Sequence, residues 1–290
     1  MVGCIEDAKR FQDLLDLESH NMPYFFDHVF NDEGWRARSL SKKKFKLLKK
    51  IDPEIRKLLK ADEKVYFLSL GVEESLVDSL FLGWLLYYIN RVAFVFTTHR
   101  ILLIQTRQNR PLELRYQIRY PAITKVSRTS FGNCQVKYRN GKTSVFSHMP
   151  KRDRKYLQEI VEKFREAGPT AQPDALGKEN LCPRCFTKVD GYPAVCPFCQ
   201  RPFKSANRAG ILSLIFPGFG DFYLGHRGIA VLEVLTAAFV WFAVYLPREG
   251  EEPHDLLGIL RVGLTIFLIM HGVDALVTRH VGRKGLYPAG

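Results

Sequence analysis

The spacing of apolar and polar positions changes character along this chain. Over residues 1–60 the apolar positions recur at helical spacing, with breaks at Asn21-Met22-Pro23 and Asn31-Asp32-Glu33-Gly34. Within 36–60, Phe45, Leu48, Ile51, Ile55, Leu58 and Leu59 lie at roughly helical spacing among lysines and arginines. That pattern predicts a basic amphipathic helix, interrupted at Asp52-Pro53 because proline removes a backbone donor. From 61 to 168 the pattern turns to strands: one over 64–72 and two within 92–106, joined at Thr97-Thr98-His99-Arg100. A hairpin follows, with arms 135–138 and 143–147 around Asn140-Gly141, a pair suited to a type I′ turn. Helical spacing returns over 151–167, with Tyr156, Leu157, Ile160, Val161 and Phe164 on one face.

Residues 169–180 contain prolines and glycine without periodicity and are expected to be a linker. Beyond 209 the chain is mostly apolar. Residues 229–246 form an eighteen-residue run, and 256–277 one of twenty-two. As helices these measure about 27 and 33 Å, against a bilayer core of about 30 Å. They predict a transmembrane hairpin around a short, net acidic loop, 247–255. Arg201, Lys204 and Arg208 precede the hairpin, and Arg279, Arg283 and Lys284 follow it. The bias of basic residues toward the cytoplasm then puts both termini and the soluble domains on that side. Residues 211–227 are too short and glycine-rich for a third span and are interrupted by Pro217, so they are expected at the cytoplasmic interface. Residues 76–89 (LVDSLFLGWLLYYI) have two readings: a membrane-inserting loop with Trp84, Tyr87 and Tyr88 at the interface, or a core strand with its connection.

Charge sharpens the partner. The 290-residue chain carries a formal net charge of +13, which points to an acidic partner, either anionic lipid or nucleic acid. Its 46% hydrophobic content excludes a polytopic transporter. The candidate contacts for lipid or a partner are Lys42, Lys43, Lys44, Lys46, Lys49 and Lys50, then Arg100, Arg107, Arg110, Arg115 and Arg119, with Trp84. The competing reading is that the apolar stripe docks on the next domain and these charges are solvated.

The chain has six cysteines, four of them in Cys182-Pro-Arg-Cys185 and Cys196-Pro-Phe-Cys199. Each Cys-x-x-Cys turn aims two sulfurs at one point, and four thiolates close a tetrahedral shell, so one structural Zn²⁺ is expected. A filled shell leaves no open position for hydrolytic zinc chemistry. Thiolate ligands fit a reducing compartment, and the start MVGCIEDAKRF lacks the pattern of a signal peptide. The ribbon's Arg184, Lys188, Arg201 and Lys204 suit nucleic acid, but its aromatics Phe186, Tyr192, Phe198 and Phe203 are needed for its own small core. A protein-facing or spacing role ranks above nucleic-acid binding.

Inside the spans, Glu233, His271 and Asp274 form a candidate polar cluster, read as interhelical glue or as part of a proton or ion relay in a homo-oligomer. Arg261 is expected to snorkel. No nucleophile-base spacing and no phosphate loop is present, so an enzyme is not expected.

Two resemblances add to this reading. Thr97 to Leu102 (TTHRIL), 118–127 (IRYPAITKVS), the hairpin and the closing helix together resemble the bacterial and GRAM-type pleckstrin-homology-like domains. Gly218-Phe219-Gly220 and Phe222-Tyr223-Leu224-Gly225, followed by two apolar segments with Asp274 in the second, resemble the two-transmembrane-hairpin family. That family usually has His-Arg just before Phe-Tyr; here Asp221 stands there and His226-Arg227 follows. The expected architecture is a multidomain α+β membrane protein. It comprises N-terminal helices (1–60), a pleckstrin-homology-like β-barrel with a C-terminal helix (61–168), the linker, a zinc ribbon (181–204), and an interfacial segment with a transmembrane α-hairpin (208–280). The expected function is a non-enzymatic, membrane-anchored scaffold binding an anionic lipid surface or a protein partner. The alternatives are a nucleic-acid-binding membrane protein, or a transport or enzyme component using Glu233, His271 and Asp274.

Overall fold

The computed structural model describes residues 23–30, 37–74, 91–129, 132–167, 174–245 and 256–289, besides residues 6 and 9. Trp84 with the rest of 76–89, the break at 31–34 and the loop 247–255 lie outside the described residues. The chain divides into two compact units, 1–190 and 191–290.

The first unit is a mixed helix and antiparallel sheet structure. Its strands are β1 (Val65–Glu74), β2 (Arg91–Thr97), β3 (Arg100–Arg107), β4 (Arg110–Arg119), β5 (Ile123–Arg128), β6 (Cys134–Tyr138), β7 (Thr143–Ser147), β8 (Lys178–Leu181) and β9 (Lys188–Val189). They form one nine-stranded sheet in the order β5-β6-β7-β1-β2-β3-β4-β8-β9. The sheet is open, where a closed barrel was expected. The outer edge of β4, which closure would use, is taken by β8, with Arg115 opposite Leu181 and Ile118 opposite Lys178. Residues 178–180, read from sequence as linker, are therefore strand.

Among the described residues, α1 (Phe26–Val29) and α2 (Ala37–Leu58) precede β1. The stripe of α2 is buried, and Leu47, Leu48, Ile51 and Ile55 join Ala93, Val95, Leu102 and Ile104 of the sheet in one core. The expected interruption at Pro53 does not occur, and the helix runs through it. Burial of apolar side chains on both sides of Pro53 offsets the missing hydrogen bond. Asp52, just before it, is buried and accepts from the Tyr24 hydroxyl and from Arg56 Nε at 3.0 Å.

The β6–β7 turn also differs in detail. Gly141 N donates to Tyr138 O at 3.1 Å and Gly141 has φ +77°, while Asn140 keeps a negative φ. Four residues separate the strands, so a type I turn followed by a left-handed glycine replaces the two-residue type I′ turn. After β7, α3 (Lys151–Ala167) lays Leu157, Ile160 and Val161 inward, and Phe164 stacks on Tyr120 with ring centroids 5.3 Å apart.

The second unit is helical: α4 (Ala206–Ile215), α5 (Phe219–Leu224), α6 (Arg227–Tyr245), α7 (Leu256–Ile266), a π turn (Phe267–His271) and α8 (Gly272–Gly282). Among the described residues, two stretches are long and apolar enough to cross a membrane: Arg227–Val244, 18 residues with mean hydropathy 1.8, and Leu260–Gly282, 23 residues with mean hydropathy 1.7. The segment 211–227, expected as a single interfacial stretch, forms two short helices packed on α8. Small residues permit this. A Cβ on Gly220 would collide with the Ala209 carbonyl, the Ser213 hydroxyl and the Thr278 methyl. Pro217 sits in the turn between the helices, and Gly218 takes the left-handed conformation (φ +89°) that starts α5. Gly220→Ala is expected to cost about 1–3 kcal/mol through overpacking, read as a lower melting temperature in detergent micelles.

Candidate functional site

The two cysteine turns share one backbone geometry. Phe186 N donates to Cys182 O at 2.9 Å and Gln200 N to Cys196 O at 3.0 Å; Cys182 N donates to Thr187 O at 2.9 Å and Cys196 N to Arg201 O at 2.8 Å. The residue after each pair, Phe186 or Gln200, is left-handed at φ +59° and +57°. This tight reversal directs both sulfurs of a pair inward. The Sγ atoms of Cys182, Cys185, Cys196 and Cys199 lie within 4.8 Å of one another, and none is in a disulfide. Four sulfurs around a tetrahedral ion at about 2.3 Å would stand about 3.8 Å apart, so the cluster is compatible with a metal site. Cys134 lies elsewhere, buried, and burial pushes its thiol up to about 11.

The basic residues separate into two sets. Lys42, Lys43, Lys46, Lys49 and Lys50 are exposed on α2, and Arg107 and Arg110 are exposed at the β3–β4 turn. Lys50 Nζ donates to Gln108 O at 3.2 Å, which joins the helix lysines and the turn arginines in one surface. The other set is engaged within the fold. Lys44 is buried, with Nζ 4.3 Å from the Phe67 ring centroid and 3.9 Å from Asp153 Oδ1. Arg115 Nη2 meets Glu54 Oε2 at 2.8 Å, and Arg119 Nη2 meets Glu179 Oε1 at 2.5 Å. Arg100 is buried: its guanidinium holds Glu63 at 2.9 Å, the Leu58 carbonyl at 2.7 Å and the Gln117 side chain.

Glu63 had no sequence signal, because nothing in its spacing distinguishes it from a solvated acid. Burial pushes its carboxyl up, but Arg100, Thr97 and the Lys60 amide outweigh this and hold it below the ordinary 4.5. A lowered folded value stabilises the fold above the unfolded value and loses that stability as pH falls through the folded one. Unfolding followed between pH 5 and 2 is therefore expected to show a steep acid loss that Glu63→Gln flattens.

In the second unit the carboxylates of Asp221, Glu233 and Asp274 converge within 4.8 Å. Asp274 Oδ2 accepts from Gly218 N at 3.0 Å, while Asp221 accepts from Thr278 Oγ1 at 2.9 Å and lies 2.8 Å from His226 Nδ1. His271 lies near enough to Asp274 to interact with it electrostatically, but makes its hydrogen bonds elsewhere. Its Nε2 accepts from Trp241 Nε1 at 3.1 Å, so its Nδ1 carries the proton donated to Leu214 O at 3.0 Å. The structure thus joins Glu233 to Asp274 and gives His271 to the end of α4. Asp221, not among the sequence candidates, completes the acidic group; its place in the Phe-Tyr-Leu-Gly motif was the available signal.

No protein-family model matches the chain, and no curated protein matches it in sequence. Among solved structures, the C-terminal domain of an unknown protein from Leishmania infantum is similar at 15% identity, over 40% of this chain and 93% of that one, with a TM-score of 0.28. The linker-DH/PH domains of p115-RhoGEF are similar at 12% identity, over 58% of this chain and 42% of that one, with a TM-score of 0.31. An N-terminally truncated form of those domains gives 13% identity, 58% and 43% coverage and a TM-score of 0.31. The chain spans less than half of either p115-RhoGEF chain.

Proposed function

We propose that this chain is a non-enzymatic scaffold anchored in a membrane by α6 and α7–α8, whose cytoplasmic sheet domain and zinc ribbon meet an anionic lipid surface or a protein partner. One observation carries the reading: the apolar side chains of the two long helices face outward along their length. Phe239 is 70% exposed and Leu276 68%, and Leu235, Phe242, Leu264 and Leu268 are exposed with them. In water each costs about 1.5–3 kcal/mol relative to burial, and a continuous apolar surface of this kind fits lipid. The two long apolar helices that follow Phe222-Tyr223-Leu224-Gly225 are compatible with the two-transmembrane-hairpin resemblance.

The polar groups fit the same reading. Asp274 and His271 precede Gly282 by 8 and 11 residues, about 12 and 16 Å along the helix. Non-helical backbone at such depth requires protein partners. Asp274 takes the amide of Gly218, and His271 takes the Leu214 carbonyl, on either side of the α4–α5 turn. These contacts favour a structural role over a relay.

In the first unit, seven antiparallel strands in the order β5-β6-β7-β1-β2-β3-β4, with a helix after β7, support the pleckstrin-homology-like reading of 61–168. The exposed lysines of α2 with Arg107 and Arg110 are the proposed contact surface. Replacing Lys42, Lys43, Lys46, Lys49 and Lys50 with Gln is expected to remove several kcal/mol of attraction, at about 1 kcal/mol per charge. The attraction should also weaken as salt shortens the Debye length from about 10 Å at 0.1 M to about 3 Å at 1 M. Liposome flotation of residues 1–204 measures both effects. Flotation indifferent to the substitutions and to anionic lipid would assign the surface to a protein partner.

Orientation has its own test. A tag placed in 250–254 is expected to be labelled from outside intact cells while both termini are protected; the reverse pattern would invert the assignment.

A further inference from the structure

A cavity of about 640 Å³ opens in the first unit where the β2–β3 turn, the end of β4, α3 and the first cysteine turn meet. Small-molecule sites run from about 300 to 1,000 Å³. The floor is apolar and aromatic, formed by Tyr120, Phe164 and Phe186. Around it stand Lys60, His99, Arg119 and Lys188, and the only acid lining the cavity, among the described residues, is Asp62.

The cations are fixed from behind. Arg100 holds the Gln117 side chain, and Gln117 Nε2 donates to Glu179 Oε2 at 2.7 Å. The other oxygen of Glu179 takes both Arg119 at 2.5 Å and Lys188 at 3.4 Å. One carboxylate therefore serves two cations beside the cavity, Lys188 is also paired with the exposed Asp190 at 3.2 Å, and Lys60 sits exposed at the cavity mouth. This chain of buried polar groups preorganises the rim, so little ordering cost remains for a ligand.

We propose that this cavity binds a phosphomonoester joined to an apolar or planar group. A guanidinium fork and two ammonium groups suit a dianion with three acceptor oxygens. The aromatic floor suits the body that carries it. The first cysteine turn supplies Phe186 and β9 supplies Lys188, so the start of the ribbon forms one wall of the site. The shared chemistry has two sources, a phosphatidic acid headgroup or a soluble organic phosphate. The proposal does not rest on membrane anchoring.

The test is calorimetric titration of the full, metal-loaded chain in neutral detergent micelles with phenyl phosphate, inorganic phosphate, benzoate and dioctanoyl phosphatidic acid. Saturable one-to-one binding of phenyl phosphate is expected, tighter than inorganic phosphate or benzoate. Lys60→Gln with Lys188→Gln should weaken it at least tenfold at an unchanged melting temperature. The charge-matched pair Lys151→Gln with Lys155→Gln on α3 should not. Tighter binding of phosphatidic acid than of phenyl phosphate identifies the lipid source, and the reverse a soluble one. No saturation, equal binding of inorganic and phenyl phosphate, or wild-type affinity in the Lys60/Lys188 variant would overturn the proposal.

Discussion

Removing the proposed Zn²⁺ with a strong chelator, or replacing Cys196 with Ser, is expected to unfold the segment between Cys182 and Cys199. So short a segment buries too little apolar surface to hold itself. Binding of a structural Zn²⁺ supplies about 10–16 kcal/mol in comparable small units, and that free energy is folding free energy. Elemental analysis of protein purified without added metal should find about one equivalent of zinc per chain. Limited proteolysis should cut the chelated protein within 182–199 and leave the loaded protein intact there. β8 runs directly into Cys182, so its hydrogen bonds to β4 should exchange faster once the metal is gone. A metal-free preparation with a protease-resistant ribbon would remove zinc from the account.

The second large effect is expected at Arg100. Arg100→Ala leaves Glu63, whose side chain has no exposed surface, without its cation. Breaking a buried pair from one side costs about 3–5 kcal/mol. For a unit of this size that lowers the melting temperature by roughly 10 °C. Arg100→Lys keeps the charge but loses the fork that reaches Glu63, Leu58 and Gln117 together, and should fall between. A lipid contact at Arg100 predicts the opposite pattern: weaker flotation at unchanged stability.

Arg100 also shows where the sequence stops being legible. In the sequence it is one arginine among five with ordinary strand spacing. Only the pairing of β3 with β4, and the turn that brings Glu63 beneath it, makes it an internal residue. Such partners are 37 residues apart, and no periodicity records them. The strand at 178–181 was hidden for a related reason. Four residues after a proline-containing stretch carry little pattern, and the free edge of β4 recruits them. By contrast, the two long apolar runs, the α2 stripe, the closing helix and the two Cys-x-x-Cys turns were legible, because each signal is local and repeats at a fixed interval. The Asn-Gly pair marked its hairpin correctly and its turn type incorrectly, since loop length decides the type. In the second unit, Gly218, Gly220 and Asp221 were visible as a motif. Their roles, as a turn, a close approach and a buried hydrogen-bond acceptor, required α8 beside them.

The proposed anchoring of the chain through α6 and α7–α8 is tested most directly by alkaline carbonate extraction of membranes containing the full-length protein. Peripheral proteins are released by this treatment, whereas a hairpin whose apolar side chains lie in lipid stays with the bilayer. The account predicts that the full chain remains in the membrane pellet, and that Leu235→Glu with Phe239→Glu shifts it toward the supernatant. Complete release of the wild-type protein would contradict it.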